Sequence, residues 1–209
     1  DEAEARSQFK LCSQNQWNYG RAKAALTNGQ WKEKLIPLYY RPFDTRFTVY
    51  DPHVAVHRRE RVTRHMMAGD NLAIITSRMT KGEEFRHAQV TRFVPEVICM
   101  SPKTSNNGFV FPLWLEGEDS LIKGERVLNI DKGFLKDLGS AIINIPAVED
   151  DPPSSVTPDN VFGYLYAVIH SPNYRSRYVD FLKSDFPRIP MPINPYIFHG
   201  LANLGRELI

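Results

Sequence analysis

Between Tyr39 and His65 the chain reads YYRPFDTRFTVYD and then, within a few residues, HRRERVTRH, so that Arg41, Arg46, Arg58, Arg59, Arg61 and Arg64 crowd among aromatic and histidine side chains. A guanidinium is a planar fork of donors that suits phosphate oxygens and the paired acceptors of guanine in the major groove. Two further stretches supply smaller polar groups: TSRMTKGEEFRH, with Arg78 and Lys81, and MSPKTSNNG, with Lys103, Thr104, Ser105 and Asn106. Such side chains contact phosphates and base edges, and together these residues are the candidate contacts to duplex DNA. A plainer reading stands beside this one. Arg41 and Arg46 could pair with Asp44 or Asp51 in a structural network, and Arg58, Arg59, Arg61 and Arg64 could be the solvated face of a helix.

No catalytic residue can be read. The chain has no G-x-x-x-x-G-K-[ST], no G-x-G-x-x-G after a strand, no G-x-S-x-G and no H-E-x-x-H. Of the six histidines only His53 and His57 have i, i+4 spacing, and Pro52 argues against a helix there, so a metal site is not expected. INPYIF (Ile193 to Phe198) resembles the N-P-P-Y loop of amino-methyltransferases but lacks the second proline. Glu83-Glu84 and Asp150-Asp151 read as solvated acidic surface rather than nuclease carboxylates. Cys12 and Cys99 are too few for a disulfide framework and lack C-x-x-C spacing, which points to free thiols in a reducing compartment.

The elements that must position these groups define an α+β class: a mixed or antiparallel sheet in the first two-thirds, followed by a C-terminal helical part. Residues 1–34 are an entry segment whose structure the sequence leaves undetermined: no long period is sustained, though ARSQFK and GRAKAAL suit short helices. Residues 35–148 are the sheet-rich recognition region. KLIPLYYRPF and RFTVYD read as strands joined by a turn at Asp44-Thr45. RRERVTRHMMAGD reads as a helix ended by Gly69, NLAIITSRM as the clearest strand, and HAQVTRF, EVICMS and FVFPLWL as three more. KGFLKDLGS is a short helix, and 149–160 is a linker. The helical part, 161–209, packs on the sheet and holds three helices: VFGYLYAVIH, led by Thr157 as N-cap and Pro158, then SPNYRSRYVDFLKSDFP, then NPYIFHGLANLGRELI.

Composition bounds the rest. With 209 residues, 42% hydrophobic and 24% charged, the chain can bury a core of its own. Its apolar runs are far shorter than the roughly 20 residues that span a bilayer, and DEAEA has no signal-peptide character, so neither membrane nor export is expected. The first half is net positive and the second net negative, which directs any anionic partner to the first half.

YYRPFDTRFTVYD, RRERVTRHM, NLAIITSRMT, KTSNNGFVFPLWL and YLYAVIHSPNYRSRYVDFLKSDFPRIPMP resemble, in this order and from about Leu35 to Ile209, the C-terminal region of single-polypeptide Type I restriction-modification enzymes and related adenine methyltransferase-nuclease fusions. The resemblance implies a target recognition domain that reads double-stranded DNA and presents it to an upstream methyltransferase domain of the same polypeptide. It implies no cofactor for this region, S-adenosylmethionine for the parent enzyme, and a bacterial or archaeal cytoplasm. The rival expectation is a protein-interaction module whose basic face docks a partner domain without touching DNA.

Overall fold

The structure is a computed structural model that describes residues 1–209 except 12, 28, 68–69, 102, 118–125 and 144–155. Its strands are Leu35–Arg41 (β1), Asp44–Val49 (β2), Ala73–Thr76 (β3), Ala88–Thr91 (β4), Val94–Pro95 (β5), Phe109–Pro112 (β6), Trp114–Glu116 (β7) and Arg126–Leu128 (β8). Its α-helices are Glu2–Phe9 (α1), Tyr19–Thr27 (α2), Glu60–Thr63 (α3), Lys132–Ile143 (α4), Pro158–His170 (α5), Pro172–Arg177 (α6), Val179–Ser184 (α7) and Pro195–Glu207 (α8). Strands precede the main helices, as the α+β reading requires.

Three layers follow from the alternation of side chains along β3, every residue of which is buried. β3 lies between β4 and β6, antiparallel to both. Ile74 points into the main core with Phe162, Leu138, Leu182 and Phe198 of the helices. Ala73 and Ile75 point the other way, toward a second sheet of order β2-β1-β5, where Ala73 meets Leu38, Met66 and Val94 and Ile75 meets Tyr39 and Cys99. The second sheet is mixed, because β1 pairs antiparallel with β2 and parallel with β5.

Local chemistry explains where the elements depart from the sequence reading. The hairpin turn falls at Pro42-Phe43 rather than Asp44-Thr45: proline suits the first corner of a turn, Phe43 takes φ 64°, and Asp44 is left to open β2. The helix expected from Arg58 to Gly69 shrinks to α3 and a 3-10 turn over Arg64–Met66. Arg59 sits at φ 50°, and the Thr63 hydroxyl donates to the Arg58 carbonyl at 2.8 Å, which closes off the helix start; Gly69 lies outside the described residues. EVICMS is a turn beyond Pro95 and not a strand. There the Glu96 carboxylate accepts from Ile98 N and the Glu96 carbonyl from Cys99 N, taking backbone donors that a ladder would need.

The helical layer rests on one crossing. The Thr157 hydroxyl accepts from Asn160 N at 3.2 Å and Pro158 opens α5, as the sequence predicts. Most of the 149–160 linker lies outside the described residues, and Asp159 and Asn160 already belong to α5. α5 crosses α8 at paired glycines: a Cβ on Gly163 would stand 2.5 Å from Ala202 O, and one on Gly205 would overlap Gly163 O. The expected helix over 171–187 breaks at Tyr178 (φ −111°, ψ 24°) into α6 and α7. Tyr164 and Tyr174 hydroxyls donate to the Pro190 and Arg188 carbonyls and tie the following loop down. Among the described residues no helix is long and apolar enough to cross a membrane.

Candidate nucleic-acid interface

The arginine-rich window divides between the two ends of one hairpin. Arg41 faces Asp44 beside the turn, whereas Leu35 faces Val49 at the opposite end, from which the chain runs on through Tyr50 to Arg58. At the turn end Arg41 binds Glu96 at 2.7 Å, and Arg46 binds Asp44 at 2.9 Å. Both guanidiniums stack on the Tyr40 ring, 4.0 and 3.8 Å from its centroid. The Asp44 carboxylate accepts from Arg46 and holds its pKa above the usual arginine value. The hairpin tip thus spends its positive charge internally, while Phe43 projects wholly into solvent.

At the other end Arg58 pairs with Glu60 at 2.7 Å and lies over Tyr50, whose hydroxyl bonds Thr63. Arg59 and Arg61 are exposed, and Arg64 is half-buried beside the buried pair His65 and Met66. The distribution follows from α3 being short. A longer helix would spread these arginines around its circumference, whereas one turn leaves Arg59 and Arg61 outward.

The polar loops are the built part of the surface. β3 ends at Thr76, opposite Ala88 of β4 and Phe109 of β6, so residues 77–87 and 101–108 leave the same sheet end. Glu83 clasps them together. Its Oε1 accepts from Ser101 Oγ and Thr104 Oγ1, both at 2.6 Å, and its Oε2 lies 3.4 Å from His87 Nε2. Those hydroxyls hold the Glu83 carboxyl below the usual carboxylate range, while burial pushes the His87 imidazole below its own. Asn106, fully buried, donates to Thr80 O at 3.0 Å and stands 3.1 Å from His87 Nε2. Ser77 Oγ donates to Asn107 O, and Lys81 Nζ to Ser105 O. Lys81 and Ser105 take φ 44° and 53°, and Gly82 follows at 90°, so both loops turn sharply where they meet.

On this platform Lys81, Lys103, Thr104 and Ser105 come together, with Lys103 exposed. Arg78 is 61% exposed but 3.4 Å from Asp185, and Thr80 N donates to Lys183 O, so the loop is also tied to α7. Asn106 holds the loop from inside and presents nothing to solvent. Arg58, Arg59, Arg61 and Arg64 belong to the far end. The sequence places Glu83 with Glu84 on solvated surface and gives no sign of the clasp, yet the Glu83 side chain is only 26% exposed against 78% for Glu84. A pair of adjacent glutamates carries no local sign of which one is inward. Among the described residues no group of three or more His, Cys, Asp or Glu could hold a metal ion.

Comparison with known proteins places this arrangement. A search of curated proteins finds no match to the chain. Among solved structures it is similar to a cryoEM structure of a DrdV-DNA complex, at 26% identity and TM-score 0.65, over 85% of this chain and 15% of that one. It shares its fold with a nuclease-deletion mutant of the Type ISP restriction-modification enzyme LlaGI in complex with a DNA substrate mimic, at 22% identity and TM-score 0.57 over 84% of this chain and 13% of that one. It likewise shares its fold with the ATP-dependent Type ISP restriction-modification enzyme LlaBIII bound to DNA, at 19% identity and TM-score 0.59 over 84% and 10%. The chain therefore spans only 10 to 15% of the length of these larger proteins. The family model described as the Type ISP C-terminal specificity domain matches residues 1–209, including the entry segment before Leu35, and the chain belongs to that family.

Proposed function

We propose that this chain is the duplex-DNA target recognition domain of a longer restriction-modification polypeptide and positions a DNA site for adenine methylation, and for cleavage, by upstream domains. The family match carries the reading, and the clasped loops with Lys81 and Lys103 give it a physical form. Exposed lysines and arginines would hold phosphates and so supply affinity, while hydroxyls and amides at the loop tips would meet base edges and supply choice. Fixing both loops to one carboxylate lowers the conformational entropy lost on binding.

S-adenosylmethionine would serve the upstream domain by donating a methyl to an adenine turned out of the helix. This reading gives the chain here no cofactor of its own. In this reading the polypeptide works in the bacterial or archaeal cytoplasm, where its DNA lies.

The deciding experiment offers a randomised duplex pool to the purified chain at low salt and sequences what is retained. Enrichment of one asymmetric motif supports a self-sufficient reader, and binding should weaken steeply between low and physiological salt. Absence of any duplex retention by the folded chain would count against the proposal and favour a protein-docking module.

A further inference from the structure

We infer that the outward face of α8 is a docking surface on which this domain packs against an apolar helix elsewhere in the polypeptide that carries it. The inference rests on the reading above that the chain is one domain of a longer protein, but not on DNA binding.

α8 has two apolar faces, and α5 covers only one. Phe198, Ala202 and Gly205 are buried at the glycine crossing. Facing away, Ile197, Leu204 and Leu208 are 44%, 55% and 58% exposed, with Ile193 at 82% and Tyr196 at 48% where the helix begins. At 100° per residue, Ile197, Gly200, Leu204 and Leu208 fall on one stripe with steps of three and four residues, the spacing that sets one helix against another. Isolated surface leucines are commonplace, whereas a contiguous stripe of them marks an interaction site.

The chemistry of the stripe selects the partner. It carries no lysine or arginine. Arg206 lies on the opposite side of the helix and donates to Asn203 at 2.6 Å, so duplex DNA finds no cation along it. Partner size is also constrained, since the similar solved chains have 85 to 90% of their length outside the matched region. A domain that must present DNA to the rest of such a polypeptide needs a fixed orientation, and a rigid apolar helix face provides one. Asn194 caps α8 by accepting from Ile197 N at 2.9 Å, and the crossing with α5 leaves the helix no room to roll.

The test compares the isolated chain with the full-length polypeptide by hydroxyl-radical footprinting, which reads side-chain exposure directly. The expected result is a several-fold drop in modification of Ile197, Leu204 and Leu208 in the full-length protein, with the drop at Leu208 abolished by the double variant Ile197→Glu/Leu204→Glu. The isolated variant should keep its unfolding temperature and its duplex retention, since both side chains already face water. Equal modification of these residues in the isolated and full-length wild types would overturn the inference, and that comparison needs no variant to fold. It would also be overturned by a concentration-dependent dimer of the isolated chain that the variant abolishes, which would assign the stripe to a second copy. Loss of duplex retention by the folded, isolated variant would assign it to DNA. Failure of the wild-type chain to retain DNA would instead strike the proposed function and leave the footprint comparison intact.

Discussion

Glu83 shows how much one carboxylate can organise when hydroxyls converge on it. Removing it in Glu83→Ala strands Ser101 and Thr104 hydroxyls in a half-buried site and should cost about 1–3 kcal/mol. Glu83→Gln, which keeps an acceptor oxygen, should cost less. Hydrogen exchange should then quicken across residues 77–87 and 101–108 before it does elsewhere. The pH dependence has a definite sign. Because the folded Glu83 carboxyl titrates below its unfolded value, its contribution is whole above about pH 4.3 and is lost as pH falls through the lower folded value. Because the Glu83 charge also favours the His87 imidazolium, the difference in unfolding temperature between wild type and Glu83→Gln should hold or widen from neutral pH down to that point and shrink below it. His87, kept neutral by burial, begins to oppose folding earlier, as pH drops below the usual imidazole value near 6.5.

The arginines divide by partner in the same way. Arg41 is 20% exposed and Glu96 24%, and they bind each other. Arg41→Ala leaves that carboxylate half-buried without its partner and should lower stability by about 1–3 kcal/mol with little change in the salt dependence of DNA binding. Lys103→Ala should do the reverse: unfolding stays put, and the slope of log affinity against log salt flattens by about 0.9 if the lysine holds one phosphate. Fluorescence anisotropy over a salt series with both variants checks this contrast, and a shallower slope for Arg41→Ala would place its charge on DNA after all.

Among the elements, the α5–α8 crossing is the most exacting. The two helices approach so closely at Gly163 and Gly205 that Gly205→Ala puts a methyl group onto backbone, which cannot move aside as a side chain could. Overpacking in a well-filled core costs typically about 1–3 kcal/mol and more where nothing can yield, so Gly205→Ala should lower the urea midpoint sharply. Gly139, with open space where a Cβ would stand, serves as the control, because Gly139→Ala inside α4 should be neutral or stabilising. The hairpin teaches a different lesson. The strands are legible from their β-branched and aromatic residues, and so is the pairing of Arg46 with Asp44, two residues apart on β2; the register, which sets Arg41 opposite Asp44 and Leu35 opposite Val49, splits the arginine window between two ends.

At the scale of the whole molecule, Cys99 lies where the layers meet, fully buried against Tyr39 and Ile75. Burial, reinforced by Glu96, pushes its thiol up to about 12. In a Cys12→Ser background the native protein should resist maleimide at neutral pH. Labelling should appear only as the sheets part, with a rate that tracks global unfolding in urea; rapid labelling of the folded protein would show that the layers open locally. Residue types and their periods were enough to indicate an α+β chain, the central strand AIIT, the Thr157 cap, the final helices and a basic first half, because these depend on neighbours within a few residues. They also carried the family resemblance from Leu35 onward. Which arginines retain free charge, that Glu83 turns inward while Glu84 does not, that Asn106 is a pin and not a fingertip, and that α8 shows a second apolar face were settled only by tertiary structure. Arg46 and Arg58 find Asp44 and Glu60 two residues away, but Arg41 meets Glu96, Glu83 meets Ser101 and Thr104, and Asn106 meets Thr80 across long stretches of chain, brought close by strand register and helix packing, and neither distance nor direction of that kind is encoded in local spacing.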